Sequence, residues 1–356
     1  MSRYYEEKLP FLLRPENVAR YEKGSAIILD RRCYPFEKKY VICKNYKEVV
    51  KAISDMVTQS GGPYFAAAAG MILAAHDMRE QKVEKQLEML ERAALELGTA
   101  RPTNKSIFTA SMAMLNTARD ALQKGMDVEA QLIAKLEEMY QDRNKTSYML
   151  GHYAAKLIRD GDTILTHCWA ENAIVFTILA ALEQKKRIHV YCDETRPYLQ
   201  GSRLTADAMA EIGVQTTVIC DDMAGCMMQQ GKIDLFFSGA DCVTRAGHVV
   251  NKVGTFQVAL CAHYFGIPFY ALCFGPEENS YSEQDVQFEN RNSEESLFCM
   301  GMRTATQNPV SGCYPAFDVT PPEFVSAILT DKGVFSPYNI EDYLMKPGHS
   351  GKEEGM

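Results

Sequence analysis

The chain predicts an α/β fold: a mostly parallel sheet in its C-terminal part, preceded by a helical part with a small sheet of its own. Three observations predict it. Between Thr163 and Cys273, short apolar runs alternate with helix-length segments, the pattern of βαβ units. From Tyr46 to about residue 145, helical segments dominate the chain. Polar and reactive residues fall just after the apolar runs, where open parallel sheets bind their ligands.

In the second part the expected strands are Thr163–Cys168, Arg187–Asp193, Gln215–Cys220, Leu235–Gly239 and Pro268–Cys273. The expected helices are Ala173–Glu183, Leu204–Ile212, Met223–Gln230 and Val253–Phe265. In the first part, Ala26–Leu29 and Lys39–Cys43 read as two short strands flanking a hairpin-like turn. Tyr46–Val57 has apolar residues at Val49, Val50, Ile53 and Val57, a helical spacing that Gln59-Ser60-Gly61-Gly62-Pro63 then breaks. Tyr64–His76 is alanine-rich and suits tight helix packing; Val83–Leu97, Lys105–Leu122 and Val128–Leu150 are amphipathic. We divide the chain into residues 1–145 and residues 146–356, with Gly151 to Asp162 leading into the first parallel strand. Pro276 to Gly312 reads as a polar loop region, and the tail after Pro347 as disordered.

Composition narrows the function. A content of 46% hydrophobic and 24% charged residues is that of a soluble globular protein. No apolar run is long enough to span a bilayer, and the N-terminus lacks the layout of a signal peptide. The net charge of -8 argues against a nucleic-acid partner, which requires basic patches, yet leaves a small anionic ligand open. The 11 cysteines form no CxxC pair and no metal-like cluster with histidine. Cys43, Cys192, Cys220, Cys261 and Cys273 sit inside predicted elements and read as small buried hydrophobes of a reducing, cytoplasmic setting.

Several residues are candidates for chemistry. Cys168 lies between a strand and a helix, where free amides and the helix dipole favour a thiolate; the competing reading is an ordinary core cysteine. Asp241 follows an apolar strand and a Gly-Ala turn, where desolvation would suit a general acid; the alternative is a turn or capping aspartate. Asn251 and Lys252 precede a helix and could hold an anion with its first amides. Gln200 lies in a long polar loop after Asp193 and reads as a ligand contact, while Arg196 and Glu194 read as braces of that loop. Arg101, at the start of a helix, could reach a phosphate or merely cap its loop.

With these residues placed, the chain resembles the methylthioribose-1-phosphate isomerase family, relatives of the regulatory subunits of the translation-initiation exchange factor and of ribose-1,5-bisphosphate isomerases. The resemblance rests on Thr166-His167-Cys168, DETRPYLQGSRLTA at 193–206, GKIDLFFSGAD at 231–241, NKVGT at 251–255, HYFGIPFYA at 263–271, the stretch 314–333 and ARPTN at 100–104. It spans nearly the whole chain. It implies a Rossmann-like C-terminal domain, a homodimer, and conversion of an aldose 1-phosphate to a ketose 1-phosphate without metal or nicotinamide. It further implies Asp241 as the acid at the ring oxygen and Cys168 as the group assisting hydrogen transfer. Arg101, Gln200, Asn251 and Lys252 match substrate-binding positions. Two departures stand out. Where the family usually has Arg-Gly-Ala-Pro, this chain has Gln59-Ser60-Gly61-Gly62-Pro63. The amides of Gly61 and Gly62, or the side chains of Arg31 and Arg32, are candidates to replace the missing arginine. After Cys168 stands Trp169-Ala170-Glu171-Asn172, with a carboxylate that would raise the thiol pKa if it points inward.

Overall fold

The structure, a computed structural model, describes residues 3–345 except 102, 103, 287, 289 and 300. The chain divides into two compact units. One is Leu9–Asn144; the other is Lys145 onward together with the N-terminal residues through Lys8. The short helix α1 (Arg3–Lys8) belongs with the second unit because Tyr5 is buried there. Its hydroxyl donates to Glu183 Oε2 at 2.8 Å, and its ring stacks on Phe176.

The helical unit begins with α2 (Pro15–Val18) and an antiparallel sheet, β1 (Ala19–Tyr21), β2 (Ala26–Leu29) and β3 (Tyr40–Cys43). The first of these strands carries no signal in the sequence, being three residues long. Then come α3 (Tyr46–Ser54), α4 (Gly62–Met78), α5 (Val83–Gly98), α6 (Lys105–Gln123) and the start of α7 (Val128–Ala155). Asn45 begins α3 by accepting the amide of Glu48, and α4 is buried from Phe65 to Ala75. Its alanines let α3, α5 and α6 approach closely.

The α/β unit continues with β4 (Thr163–His167), α8 (Glu171–Glu183), β5 (His189–Asp193), α9 (Ala206–Glu211), β6 (Gln215–Ile219), α10 (Ala224–Gln229) and β7 (Leu235–Gly239). After it come β8 (Cys242–Val243), β9 (Val249–Lys252), α11 (Thr255–Tyr264) and β10 (Phe269–Leu272). The hairpin of β11 (Phe298–Cys299) and β12 (Met302–Arg303) follows, then β13 (Phe317–Thr320), β14 (Ala327–Thr330), β15 (Gly333–Phe335) and α12 (Asp342–Met345). The main sheet has the order β15-β14-β10-β7-β4-β5-β6. All its pairs are parallel except β14 with β15. Buried on both faces, β7 is apolar without alternation, as a central parallel strand must be. The five predicted parallel strands are all present, and β14 and β15 extend the sheet beyond them.

Four expectations need correction. Cys220, read as a buried hydrophobe, is exposed. Asn251 and Lys252 end a strand the sequence did not predict, β9, which pairs with β8 and β13 in a separate antiparallel sheet, and the helix expected from Val253 starts at Thr255. The predicted helix from Leu204 starts as a wide turn over Gly201–Thr205 and becomes α-helical only at Ala206. The segment 276–312 is not structureless: it holds the β11–β12 hairpin and two tight helical turns. The tail after Pro347 lies outside the described residues.

Candidate active site

Strand order reverses between β4 and β7: β5 and β6 lie on one side of β4, and β7, β10 and β14 on the other. In open parallel sheets, the crevice beyond the carboxyl ends at such a reversal is the ligand position. Cys168 directly follows β4, and Asp241 follows β7 by two residues. The register sets His167 opposite Ser238, and adjacent strands stand about 4.8 Å apart, so the two chain ends emerge together. A Cβ on Gly239 would stand 3.0 Å from that of Ala170 and 4.0 Å from Asn251 Oδ1, which ties β9 to the same spot.

Cys168 takes a left-handed φ of 64°, which costs a non-glycine residue energy unless its surroundings enforce it. Two hydrogen bonds do so. Its amide donates to Thr195 Oγ1 at 3.0 Å, and its carbonyl accepts from Thr205 Oγ1 at 2.5 Å. The expected thiolate is not what this geometry favours. Part of the residue reaches solvent, but protein atoms surround the thiol, and this burial is the main cause that pushes its pKa up to about 11. Lys252 opposes the rise, Asp241 adds to it, and the Trp169 amide and Arg291 oppose it again. α8 starts three residues later, so its dipole is not aimed directly from Cys168. The carboxylate acting on the thiol is that of Asp241. Its amide donates to Val250 O at 2.9 Å, and the residue is exposed rather than desolvated.

Beneath the thiol, His167 and Asp193 form a buried pair, with Nδ1 and Oδ2 3.1 Å apart. His167 Nε2 lies 3.0 Å from the carbonyl of Val253. Both ring nitrogens thus face acceptors, a setting in which each must donate. Burial disfavours the charged ring, but the Asp193 carboxylate outweighs it and the pKa is raised. The pair joins β4, β5 and the turn before α11 directly behind Cys168.

Lys252 is 3% exposed, and its Nζ donates to Tyr314 Oη at 3.1 Å. It stands over the Tyr314 and Phe317 rings, 5.4 and 5.5 Å from their centroids. The first amides of α11 do not join it in an anion site. Asp318 on β13 accepts from the Gly254 amide at 2.7 Å and from the Phe256 amide at 3.2 Å. Asn251, also buried, donates to Thr255 Oγ1 at 2.9 Å.

Gln200 is 5% exposed and opens the wide turn at Gly201. Only glycine fits at 201, because a Cβ there would stand 1.7 Å from the Asp193 carbonyl oxygen. The loop is held mainly by a residue the sequence did not single out. Asp221 accepts the amides of Thr195 and Arg196, both at 2.7 Å, while the Arg196 side chain donates to Phe298 O.

Cys168, Gln200, Asp241, Asn251 and Lys252 belong to the α/β unit; Gly61, Gly62 and Arg101 belong to the helical one. There, the amide of Gly62 donates to Gln59 O at 3.0 Å and so serves the turn itself. A Cβ at 62 would stand 1.9 Å from Thr58 Oγ1, which explains the glycine by packing. Of the two hairpin arginines, only Arg31 is at this turn: it is fully buried and donates to Gln59 O at 2.8 Å. Arg32 is drawn aside by Asp30, with contacts of 2.8 and 2.7 Å. Half-buried Arg101 follows Ala100, whose carbonyl accepts from Ser54 Oγ at 3.1 Å at the end of α3.

Sequence reasoning missed Arg291, Tyr198, Tyr314 and Phe317. All four lie in segments read as loop or carried only by resemblance. An Arg-aromatic constellation assembled from residues 198, 291 and 314 leaves no local spacing to detect. Among the described residues, no three His, Cys, Asp or Glu side chains are grouped to hold a metal, and no helix is long and apolar enough to cross a membrane.

Residues 61–337 match the Initiation factor 2 subunit family. The chain is 39% identical over 336 residues to methylthioribose-1-phosphate isomerase of Thermosipho africanus, covering 90% of this chain and 94% of that one. It is 39% identical over 330 residues to the enzyme of the same name from Petrotoga mobilis, covering 88% and 93%. Among solved structures it resembles 5-methylthioribose 1-phosphate isomerase from Pyrococcus horikoshii OT3. That match has a TM-score of 0.83 and 29% identity, covering 97% of this chain and 99% of that one. It also resembles translation initiation factor eIF-2B, subunit delta, from A. fulgidus, with a TM-score of 0.79 and 32% identity, covering 93% and 99%. By these matches and by its sheet topology, the chain belongs to the Initiation factor 2 subunit family, in the group that holds the methylthioribose-1-phosphate isomerases.

Proposed function

We propose that this protein is an aldose–ketose isomerase that converts 5-methylthioribose 1-phosphate to 5-methylthioribulose 1-phosphate. The observation that carries the reading is the pairing of a thiol and a carboxyl group, Cys168 and Asp241, at the reversal of strand order beside the buried Lys252. The names of the relatives support the substrate.

In this mechanism the bond from carbon 1 to the ring oxygen opens as Asp241 protonates that oxygen. The hydrogen on carbon 2 moves to carbon 1 beside the Cys168 sulfur, which sits in the desolvated position such a transfer favours. The carbon 2 hydroxyl loses its proton and becomes the ketone, so oxidation at carbon 2 balances reduction at carbon 1. Asp241 is exposed, and a bound sugar would cover it. Gln200, Asn251 and Lys252, all in the α/β unit, hold the sugar phosphate. The working form is a homodimer.

A panel of pentose 1-phosphates, with ribose 1,5-bisphosphate included, followed by NMR for ketose formation, tests the proposal. Methylthioribose 1-phosphate should turn over, and Asp241→Asn should abolish turnover with an unchanged thermal midpoint. The likeness to an initiation-factor subunit supports a second reading, a non-catalytic binding protein. No ketose from any sugar in the panel would favour it.

A further inference from the structure

We propose that Arg291 is a further substrate-contacting residue of this site, a second cation beside Lys252 that binds an oxyanion of the sugar phosphate. The inference rests on the isomerase reading for its substrate but not for its geometry. The Arg291 guanidinium carbon stands 5.4, 6.0 and 5.8 Å from the ring centroids of Tyr198, Tyr314 and Phe317. Lys252 stands over two of the same rings, Tyr314 and Phe317. Two cations are thus set on one aromatic wall.

The wall is built, not incidental. The Arg291 amide donates to Tyr314 O at 3.1 Å, and Asn290 bridges to Pro315, which fixes the arginine backbone against the strand leading into β13. Phe317 pairs with Lys252 across β13 and β9, so the lysine and the ring beneath it share one register position. Tyr198 comes from the loop that also carries Gln200, and its hydroxyl donates to Glu295 Oε1 at 2.8 Å. Two separate segments, the loop at Tyr198 and the stretch 314–317, therefore converge to seat one guanidinium.

Its place is the active centre. The charges acting on the Cys168 thiol are Lys252, Asp241 and Arg291, the two cations together opposing the carboxylate. Like charges held near each other repel, and aromatic faces offset that repulsion only in part. An anion between them relieves it. A guanidinium presents a planar fork of donors that suits planar oxyanions, which a lysine at the same place could not match in geometry. The anion is either the phosphate or the oxygen on carbon 2 as its proton leaves, and one set of variants separates the two.

The test uses the full chain with Arg291→Gln and Arg291→Lys. Arg291→Gln should lose about 10- to 100-fold in kcat/KM, the worth of one charge-assisted hydrogen bond, with an unchanged thermal midpoint and partial recovery in Arg291→Lys. If the phosphate is the ligand, KM rises and inhibition by inorganic phosphate weakens with it. If carbon 2 oxygen is the ligand, kcat falls and phosphate inhibition stays. An Arg291→Gln enzyme with kcat and KM both within about twofold of wild type overturns the inference. Should that variant fail to fold, phenylglyoxal modification of the wild type decides, mapped by mass spectrometry. Substrate must protect Arg291, and equal modification with and without it overturns the inference. A wild type inactive on every pentose phosphate rejects the isomerase reading instead. Protection of Arg291 by inorganic phosphate then still sustains the anion site, and its absence overturns that too.

Discussion

Alkylation of Cys168 should be slow near neutral pH. The perturbation is titration of the thiol in the ligand-free protein. Burial pushes its pKa up to about 11, with Asp241 adding to the rise and Lys252 and Arg291 opposing it. At pH 8 the thiolate fraction is then about one in a thousand, against about a quarter for a cysteine at the ordinary value near 8.5, a few-hundred-fold difference in reactive species. The assay is iodoacetamide labelling from pH 7 to 10.5, mapped by mass spectrometry, with exposed Cys299 and Cys313 as internal references. Cys168 should trail both at pH 8, and its rate should still be climbing at the top of the range. Lys252→Met should push the inflection higher and Asp241→Asn should bring it down, since the two groups act on the thiol with opposite signs. Labelling of Cys168 as fast as Cys299 at pH 8, or an inflection below about 9, would refute the burial argument. The position before a helix would then govern the thiol after all.

Other outcomes follow from the same geometry. Asp193→Asn should destabilise the protein by about 3–5 kcal/mol in urea denaturation, because it leaves the His167 charge buried without its partner. With its folded pKa raised above 6.5, His167 contributes stability that is full below that value and lost as pH rises through the folded one. The thermal midpoint should therefore fall above neutrality, and His167→Gln should flatten that slope. Gly201→Ala should displace the loop that carries Gln200, because the new Cβ meets the Asp193 carbonyl oxygen at 1.7 Å. A variant with wild-type KM would show that the loop yields. Arg32→Ala should leave steady-state kinetics unchanged, because Asp30 already holds that side chain away from the Gly61–Gly62 turn. A large rise in KM would show that Arg32 takes part in substrate binding.

The alternation of apolar runs with helix-length segments was enough to determine five of the six parallel strands, the helical first part and the strand ends where Cys168 and Asp241 sit. Those features are local: a buried parallel strand must be apolar on both faces, and a helix must repeat every 3.6 residues. Chain position could not say that β4 and β7 are neighbours, because strand order is decided by which crossovers pack. Nor could it foresee that β9 presents Lys252 to an aromatic wall while Asp318 takes the helix amides. The thiol shows the same division. Sequence placed it before a helix, where the dipole would favour the thiolate, but its ionisation depends on how many atoms surround the sulfur, and only packing sets that. Arg291 lies 123 residues beyond Cys168 in the chain and enters the site through contacts with Tyr198, Tyr314 and Phe317, so no periodicity along the chain records it. Local pattern determined which segments form elements and which residues end them. Tertiary contact alone decided which ends meet, and with what charge around them, because desolvation and Coulomb interaction depend on distance through space.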